Sequence, residues 1–374
     1  MDIVEPIGHA DVVRGLWRAA AAERLSHALC FCGPRGVGKF TAALWFTAGL
    51  LCHAGPPTGD GAAPCGTCPS CKKLASGGWQ GNHPDLMRID PVEYRDPKEK
   101  EPVVQLSIYW IRAAKDRKPE HPETTIEEFL SLRPVESERR VVLIREAERL
   151  SLEAQNALLK TLEEPNPGTT LVLETSRFEA LLPTVRSRLV QVRLAGLDES
   201  AARTVFDTLA RDGRLGSDVR GDALLAIGGN APGLALEAIE QGLVPMRAEL
   251  VAVLTGRSRP TPALETLWKI DAEFPGRTAR MKSVERVRAA SRLVGTLLVD
   301  LRRLRIGESN LQHKDLVEQL APVAARATDG DLVAAVQAAA DAVQDTERHL
   351  DPAGALERLV RALAAVGSRR PARA

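Results

Sequence analysis

The sequence predicts an α/β sheet domain built on a phosphate-binding loop, followed by two all-helical domains. Three observations carry that prediction. A short apolar run, Ala28-Leu29-Cys30-Phe31-Cys32, feeds directly into Gly33-Pro34-Arg35-Gly36-Val37-Gly38-Lys39, with helical patterning from about Thr41. A strand–helix–strand unit runs from Val141 to Leu173 with polar residues collected at the strand ends, which is how parallel sheets build sites. Strand signals stop after Leu194, and long helical periods rich in Ala, Leu, Val and Arg take over from Gly242. A chain of 374 residues is expected to hold two or three domains. They are placed at 1–196, 197–243 and 244–374, the first carrying an insertion at 52–71.

In chain order, the first helix has apolar positions at Val12, Val13, Leu16 and Trp17 and turns near Arg24-Leu25-Ser26. The glycine loop then has the context a phosphate site needs. Glycines let successive N–H groups converge on phosphate oxygens, the helix N-terminus adds positive potential, and a lysine reaches the terminal phosphates. Gly33, Gly36, Gly38, Lys39 and Thr41 are the candidate nucleotide-binding residues. The pattern G-x-x-x-x-G-K-[ST] requires a hydroxyl for Mg²⁺ after the lysine, and Phe40 stands there. Thr41 is one residue late, rotated about 100° around the helix. Nucleotide binding survives such a change, whereas efficient metal-assisted hydrolysis does not.

Cys52 is followed, after twelve residues, by Cys65-x-x-Cys68-x-x-Cys71. Four thiolates at this spacing are enough for a closed tetrahedral zinc site, and a closed site is structural rather than catalytic. His53 and His83 are possible substitutes for one thiolate, while Cys30 and Cys32 belong to the strand before the loop. His83 to Ile89 reads as the approach to a strand, Asp96 to Lys100 as an exposed charged segment, and Ile108 to Leu132 as helical, interrupted by Pro119 and Pro122. Val141 to Ile144 reads as a buried strand, with a charged helix start at Arg145 to Glu148. Ser151 is a candidate N-cap and Pro165 a stop. A second buried strand, Thr170 to Leu173, ends at Glu174-Thr175-Ser176. Residues 198 to 239 are helical with a break at Gly228 to Gly233, and Arg302-Arg303-Leu304-Arg305 reads as a solvated helix face.

Composition narrows the function classes. Fifty basic and 49 acidic residues give a net charge of +1, so a globally basic nucleic-acid binder is not indicated. The N-terminus lacks a signal pattern and no apolar run approaches a membrane span, so a soluble, cytoplasmic protein without membrane partners is expected.

Together, IGHADVVRGL, SHALCFCGPRGVGK, the four-cysteine insertion, AQNALLKTLEEP and LLPTVRSRL resemble the AAA+ subunits of the bacterial replicative clamp loader, part of the DNA polymerase III holoenzyme. The resemblance covers nearly the whole chain and is nearest the delta-prime branch. It implies an AAA+ P-loop domain with a zinc insertion, a helical lid and a helical collar for oligomerisation. It also implies gamma/tau and delta subunits as partners, and action on a sliding clamp and primed DNA through the complex.

The departures from the family pattern lie at its hydrolytic site. Active members end the second core strand with an aspartate–glutamate pair, for Mg²⁺ and for the attacking water. Here Arg145 replaces the aspartate, while Glu146 matches the glutamate. The lid's sensor arginine is replaced by Leu234 in Pro232-Gly233-Leu234-Ala235. With Phe40, these residues imply a subunit without intrinsic ATPase, holding ATP or ADP without turnover if at all. Thr175 matches the sensor 1 position. Ser187-Arg188-Leu189 keeps the arginine of the family's serine–arginine–cysteine motif and loses the cysteine. The resemblance therefore implies that Arg188 is an arginine finger for a neighbour's γ-phosphate, with Arg186 the nearby competitor and a local carboxylate the other possible partner. Two further readings are a working AAA+ ATPase motor subunit, which Arg145 opposes, and DNA binding through the insertion, which has only Lys72 and Lys73 and no aromatic platform.

Overall fold

The structure is a computed structural model of the chain and describes residues 4–59, 61–76, 83–91, 105–113, 122–215, 219–272, 274 and 278–368. Asp96 to Lys100, Pro119 and the residues after Ser368 lie outside that set. The chain divides into two compact units, residues 1–201 and 202–374.

In the first unit the elements run α1 (Ala10–Ala21), β1 (Ala28–Cys32), α2 (Lys39–Leu51), α3 (Pro69–Ser76) and β2 (Leu86–Ile89). They continue with α4 (Ile126–Ser131), β3 (Arg140–Ile144), α5 (Leu152–Glu163), β4 (Thr169–Thr175), α6 (Pro183–Arg186) and β5 (Val190–Arg193). The five strands form one parallel sheet in the order β2-β3-β4-β1-β5. β1, β3 and β4 are buried along their whole length, which is why they read as continuous apolar runs. Alternate residues supply two cores. Cys30, Ile144 and Leu173 pack on one face with Leu158 of α5, and Phe31, Leu143 and Val172 on the other with Trp17 and Phe46.

α1 meets that second face through Val13, Trp17 and Ala20, spaced four and three residues apart. Val12 is exposed, contrary to expectation, because it lies one residue round the helix from that stripe. Trp17 packs on Trp45 at 4.4 Å between ring centroids and donates its indole N–H to the Phe46 carbonyl at 3.0 Å. The helix start expected at Arg145 is instead a single 3₁₀ turn, Ala147–Arg149, because Glu146 adopts a left-handed backbone (φ 49°). The helix begins at Leu152, where the Ser151 hydroxyl accepts the Ala154 N–H at 3.1 Å. Ile108 to Leu132 is also less helical than expected. Among its described residues it holds one 3₁₀ turn (Ile108–Trp110) and α4, which a capping box of Thr125 and Glu128 starts afresh.

α7 (Glu199–Arg211) leads into the second unit, which is helical throughout its described residues. Its helices are α8 (Gly221–Gly228), α9 (Pro232–Glu240), α10 (Leu243–Leu254), α11 (Pro260–Lys269), α12 (Ala279–Arg305), α13 (Val317–Arg326), α14 (Asp329–Glu347) and α15 (Pro352–Ser368). Their core is mainly aliphatic, with Leu250, Leu254, Leu297, Leu301, Leu359 and Leu363. One buried polar network interrupts it. Arg247 on α10 makes two hydrogen bonds to Asp315, at 2.9 and 2.6 Å, and donates its Nε–H to His313 Nδ1 at 3.0 Å. The fully buried Asp300 on α12 accepts the N–H groups of Gln312 and His313. The network pins the segment before α13 to α10 and α12. Among the described residues, no helix is long and apolar enough to cross a membrane.

Candidate functional site

The phosphate loop is built where β1 ends, between β4 and β5. Gly33 lies against the backbone of the residue after β5: a Cβ at Gly33 would sit 2.1 Å from the Leu194 carbonyl oxygen. Gly38 has φ 92°, a left-handed backbone that starts α2 with its N–H groups facing the loop. The buried His9 ring bonds the Val37 carbonyl through Nε2 at 2.9 Å and braces the loop from α1. Burial holds the His9 imidazole below its ordinary pKa, and the Val37 bond opposes that shift.

Lys39 does not point freely into this loop. Its side chain is 4% exposed, and Nζ lies 3.1 Å from Glu174 Oε1 while donating to the Pro34 carbonyl and the Ser176 hydroxyl, both at 2.9 Å. Three acceptors match the three protons of an ammonium group. The other Glu174 oxygen accepts the Glu146 N–H at 3.1 Å. Burial pushes the Glu174 carboxyl up, against the pull of Lys39. Glu174 was not among the residues singled out from sequence. The available signal was a carboxylate standing inside an apolar strand, next to Thr175.

Phe40 and Arg145 meet each other. The Arg145 guanidinium sits 4.9 Å from the Phe40 ring centroid and pairs with Asp90 Oδ2 at 2.9 Å. Glu146 pairs with Arg149 at 2.5 Å. Thr175 is buried, with its hydroxyl accepting the Arg177 N–H at 3.0 Å, and Thr41 is half-buried on the first turn of α2. Leu234 sits in the first turn of α9, in the other unit.

The four cysteines come together. The sulfurs of Cys52, Cys65, Cys68 and Cys71 all lie within 4.8 Å of one another, and those of Cys65 and Cys71 are 3.9 Å apart. Four thiolates around one zinc ion at about 2.3 Å would be about 3.8 Å apart, so this donor set fits one tetrahedral metal ion. The Cys68 N–H donates to the Cys65 sulfur and the Cys71 N–H to the Cys68 sulfur, each at 3.4 Å. The Cys68 N–H, the backbone and side chain of Thr67 and the Cys52 thiol together lower the Cys65 thiol to about 6. Cys52 closes α2 and Cys71 lies in α3, and the Ser70 hydroxyl ties α3 to the Leu51 carbonyl at 2.6 Å. Neither histidine joins the cluster. His53 is exposed, and His83 uses Nδ1 to accept the Asp85 N–H. Cys30 and Cys32 stay in β1.

Arg188 follows α6 by two residues, on a segment held through Gln155, whose side chain accepts the Leu182 N–H at 2.7 Å. Its guanidinium donates to the Thr184 carbonyl at 2.8 Å and pairs with Glu163 Oε1 at 2.5 Å. Both partners are accessible, at 35% and 50% side-chain exposure. Arg186 pairs with Glu179, and Leu189 is buried in the core.

A family model described as DNA polymerase III, delta subunit matches residues 8–198, more than half of the 374 residues. The chain belongs to the DNA polymerase III delta-subunit family. A Pseudomonas aeruginosa relative, DNA polymerase III subunit delta', is 33% identical over 226 residues, 60% of each chain. A Haemophilus influenzae tau/gamma subunit is 34% identical over 194 residues, 52% of this chain and 24% of the relative. The chain thus spans 60% and 24% of these curated relatives' lengths. Among solved structures, a gamma-subunit-related protein from Thermotoga maritima aligns over 96% of this chain and 99% of its own, at 19% identity and TM-score 0.40. Delta-prime and tau/gamma subunits both match this member of the delta-subunit family. A finer assignment rests on its own residues.

Proposed function

We propose that the chain is a non-hydrolysing, delta-prime-like clamp-loader subunit that donates Arg188 in trans to a neighbouring gamma/tau ATP site. The observation that carries this reading is the Phe40–Arg145–Asp90 contact. A guanidinium stacked on a ring stands where active members hold Mg²⁺ between a hydroxyl and a carboxylate, and a fixed cation disfavours a second one. Leu234 removes a further phosphate-contacting charge from the lid. The accessibility of Arg188 supports its role. An exposed ion pair is worth about 1 kcal/mol or less, so the guanidinium can exchange Glu163 for phosphate oxygens at little cost. In the same reading, residues 197–243 are the lid, 244–374 the collar, and gamma/tau and delta the neighbours, with the complex acting on the sliding clamp and primed DNA in the cytoplasm. The thiolate cluster holds structural Zn²⁺.

The test is steady-state ATP turnover by the chain alone and with gamma/tau and delta, comparing wild type with Arg188→Ala. No turnover alone is expected. Turnover of the mixture is expected to fall steeply in the mutant, since a finger supplied in trans is worth roughly 10³-fold or more in other NTPases. Turnover by the chain alone that Lys39→Ala abolishes would make it a motor subunit instead. For the metal, elemental analysis is expected to find one zinc per chain, lost in Cys71→Ser together with part of the thermal stability. A chain that is metal-free as purified and insensitive to chelators would refute the zinc assignment.

A further inference from the structure

We propose that the Glu174 carboxylate is a built-in occupant of the phosphate loop, and that the ligand it keeps out is a polyphosphate without bound metal. The inference rests on the non-hydrolysing reading and adds to it which residue holds the loop shut. A P-loop lysine exists to offer its ammonium protons to phosphate oxygens. Here Lys39 spends them on Glu174, Ser176 and Pro34, at 3.1, 2.9 and 2.9 Å. The carboxylate is the only anion of the three, so it supplies the charge that phosphate would bring. It is itself fixed by the Glu146 N–H and is 5% exposed, so the pair is part of the interior rather than a surface contact.

The rest of the loop keeps its anion-binding form. α2 runs for 13 residues, has no acidic residue in its first turn and no side chain capping its N-terminus. Removing Glu174 therefore leaves a buried ammonium at the N-terminus of α2, where the helix dipole also favours negative charge, a combination that calls for an anion. The neighbouring cation sets which one. With Arg145 stacked on Phe40 and paired to Asp90, the place of the metal already carries positive charge. A magnesium complex meets repulsion there, while an uncomplexed triphosphate gains a second cation.

The experiment measures binding of inorganic triphosphate and of ATP to the full chain by calorimetry and thermal shift, in EDTA and in excess Mg²⁺. Wild type, Glu174→Gln and Glu174→Ala are compared. Millimolar triphosphate is expected to leave wild type unstabilised. Both variants are expected to bind it at least about tenfold more tightly than wild type, more tightly in EDTA than in Mg²⁺, and without hydrolysis. The proposal is overturned if wild type binds as well as the variants, if the folded variants gain nothing, or if the gain appears only with Mg²⁺. Should neither variant fold, lysine acylation of wild type decides. Lys39 is expected to react far more slowly than Lys269, whose side chain is 78% exposed, with or without triphosphate. Equal rates, or protection of Lys39 by triphosphate, would overturn it. Hydrolysis by the wild-type chain alone is a separate outcome: it would remove the non-hydrolysing reading, whereas tight binding without hydrolysis would remove only the role given to Glu174.

Discussion

Lys39–Glu174 and Arg188–Glu163 are both one cation on one carboxylate in the same unit, and burial makes them opposites. The side chains of the first pair are 4% and 7% exposed and those of the second 35% and 50%. In the interior, neither charge can leave without stranding the other in a low-dielectric medium, so the pair is permanent. At the surface, water screens both charges and either partner can be replaced. One cation is thereby locked in its pair and the other left free to exchange partners. The same kind of ion pair is fixed in one place and exchangeable in the other.

Stability measurements can break that contrast. Lys39→Met leaves the Glu174 carboxylate buried without its cation and is expected to cost about 3–5 kcal/mol in chemical denaturation. Lys39→Met with Glu174→Leu removes both charges and is expected to recover most of that loss. Equal costs for Lys39→Met and Arg188→Ala would show that burial does not separate the two pairs.

The Arg247–Asp315 pair, at 6% and 18% exposure, extends the comparison to the helical unit and brings pH into it. Arg247 donates to His313 Nδ1, so the ring must be neutral there. Burial, followed by the Arg247 charge, lowers His313 to about 4. The unfolded chain protonates this histidine near pH 6.5 and the native one only near 4, so between those values the unfolded state binds more protons. Stability is therefore expected to be lost as pH falls from about 6.5 toward 4, by roughly 2–3 kcal/mol in all. His313→Gln should flatten that profile. An unchanged profile in the variant would show that His313 is not the responsible group.

The smallest effect sharpens the exposed end. Glu163→Gln is expected to change stability by less than about 1 kcal/mol and to leave mixed-complex turnover at or above wild type, because it only frees Arg188. A fall in turnover would mean that Glu163 positions the arginine.

Legibility in the sequence followed the range of each interaction. β1, β3 and β4 were readable because burial on both faces leaves unbroken apolar runs. β5 was not singled out, since Val-Gln-Val-Arg at a sheet edge is only partly buried and too short to announce itself. The Ser151 cap and the cysteine spacing are local signals, and the structure has that cap and brings the four sulfurs together. The closure of Lys39 by Glu174 was invisible because it joins distant segments that only the β1–β4 register brings together, with Cys32 beside Thr175. Arg145 and Phe40 were each read as a departure from a pattern, and their mutual contact needed coordinates.

That contact also bears on which sequences can be reached from this one. Arg145→Asp alone takes the arginine away from Asp90, whose side chain is 3% exposed, and adds a further acid nearby. Phe40→Thr alone strips the ring from beneath a guanidinium that still lacks any use for a hydroxyl. Each single step is unfavourable while the other residue is unchanged, and the two changes are epistatic. If the proposed non-hydrolysing reading holds, a designer seeking hydrolysis in this chain would have to change positions 40 and 145 together and release Lys39 as well. On that reading, the path toward metal chemistry is steeper than any one of its residues implies.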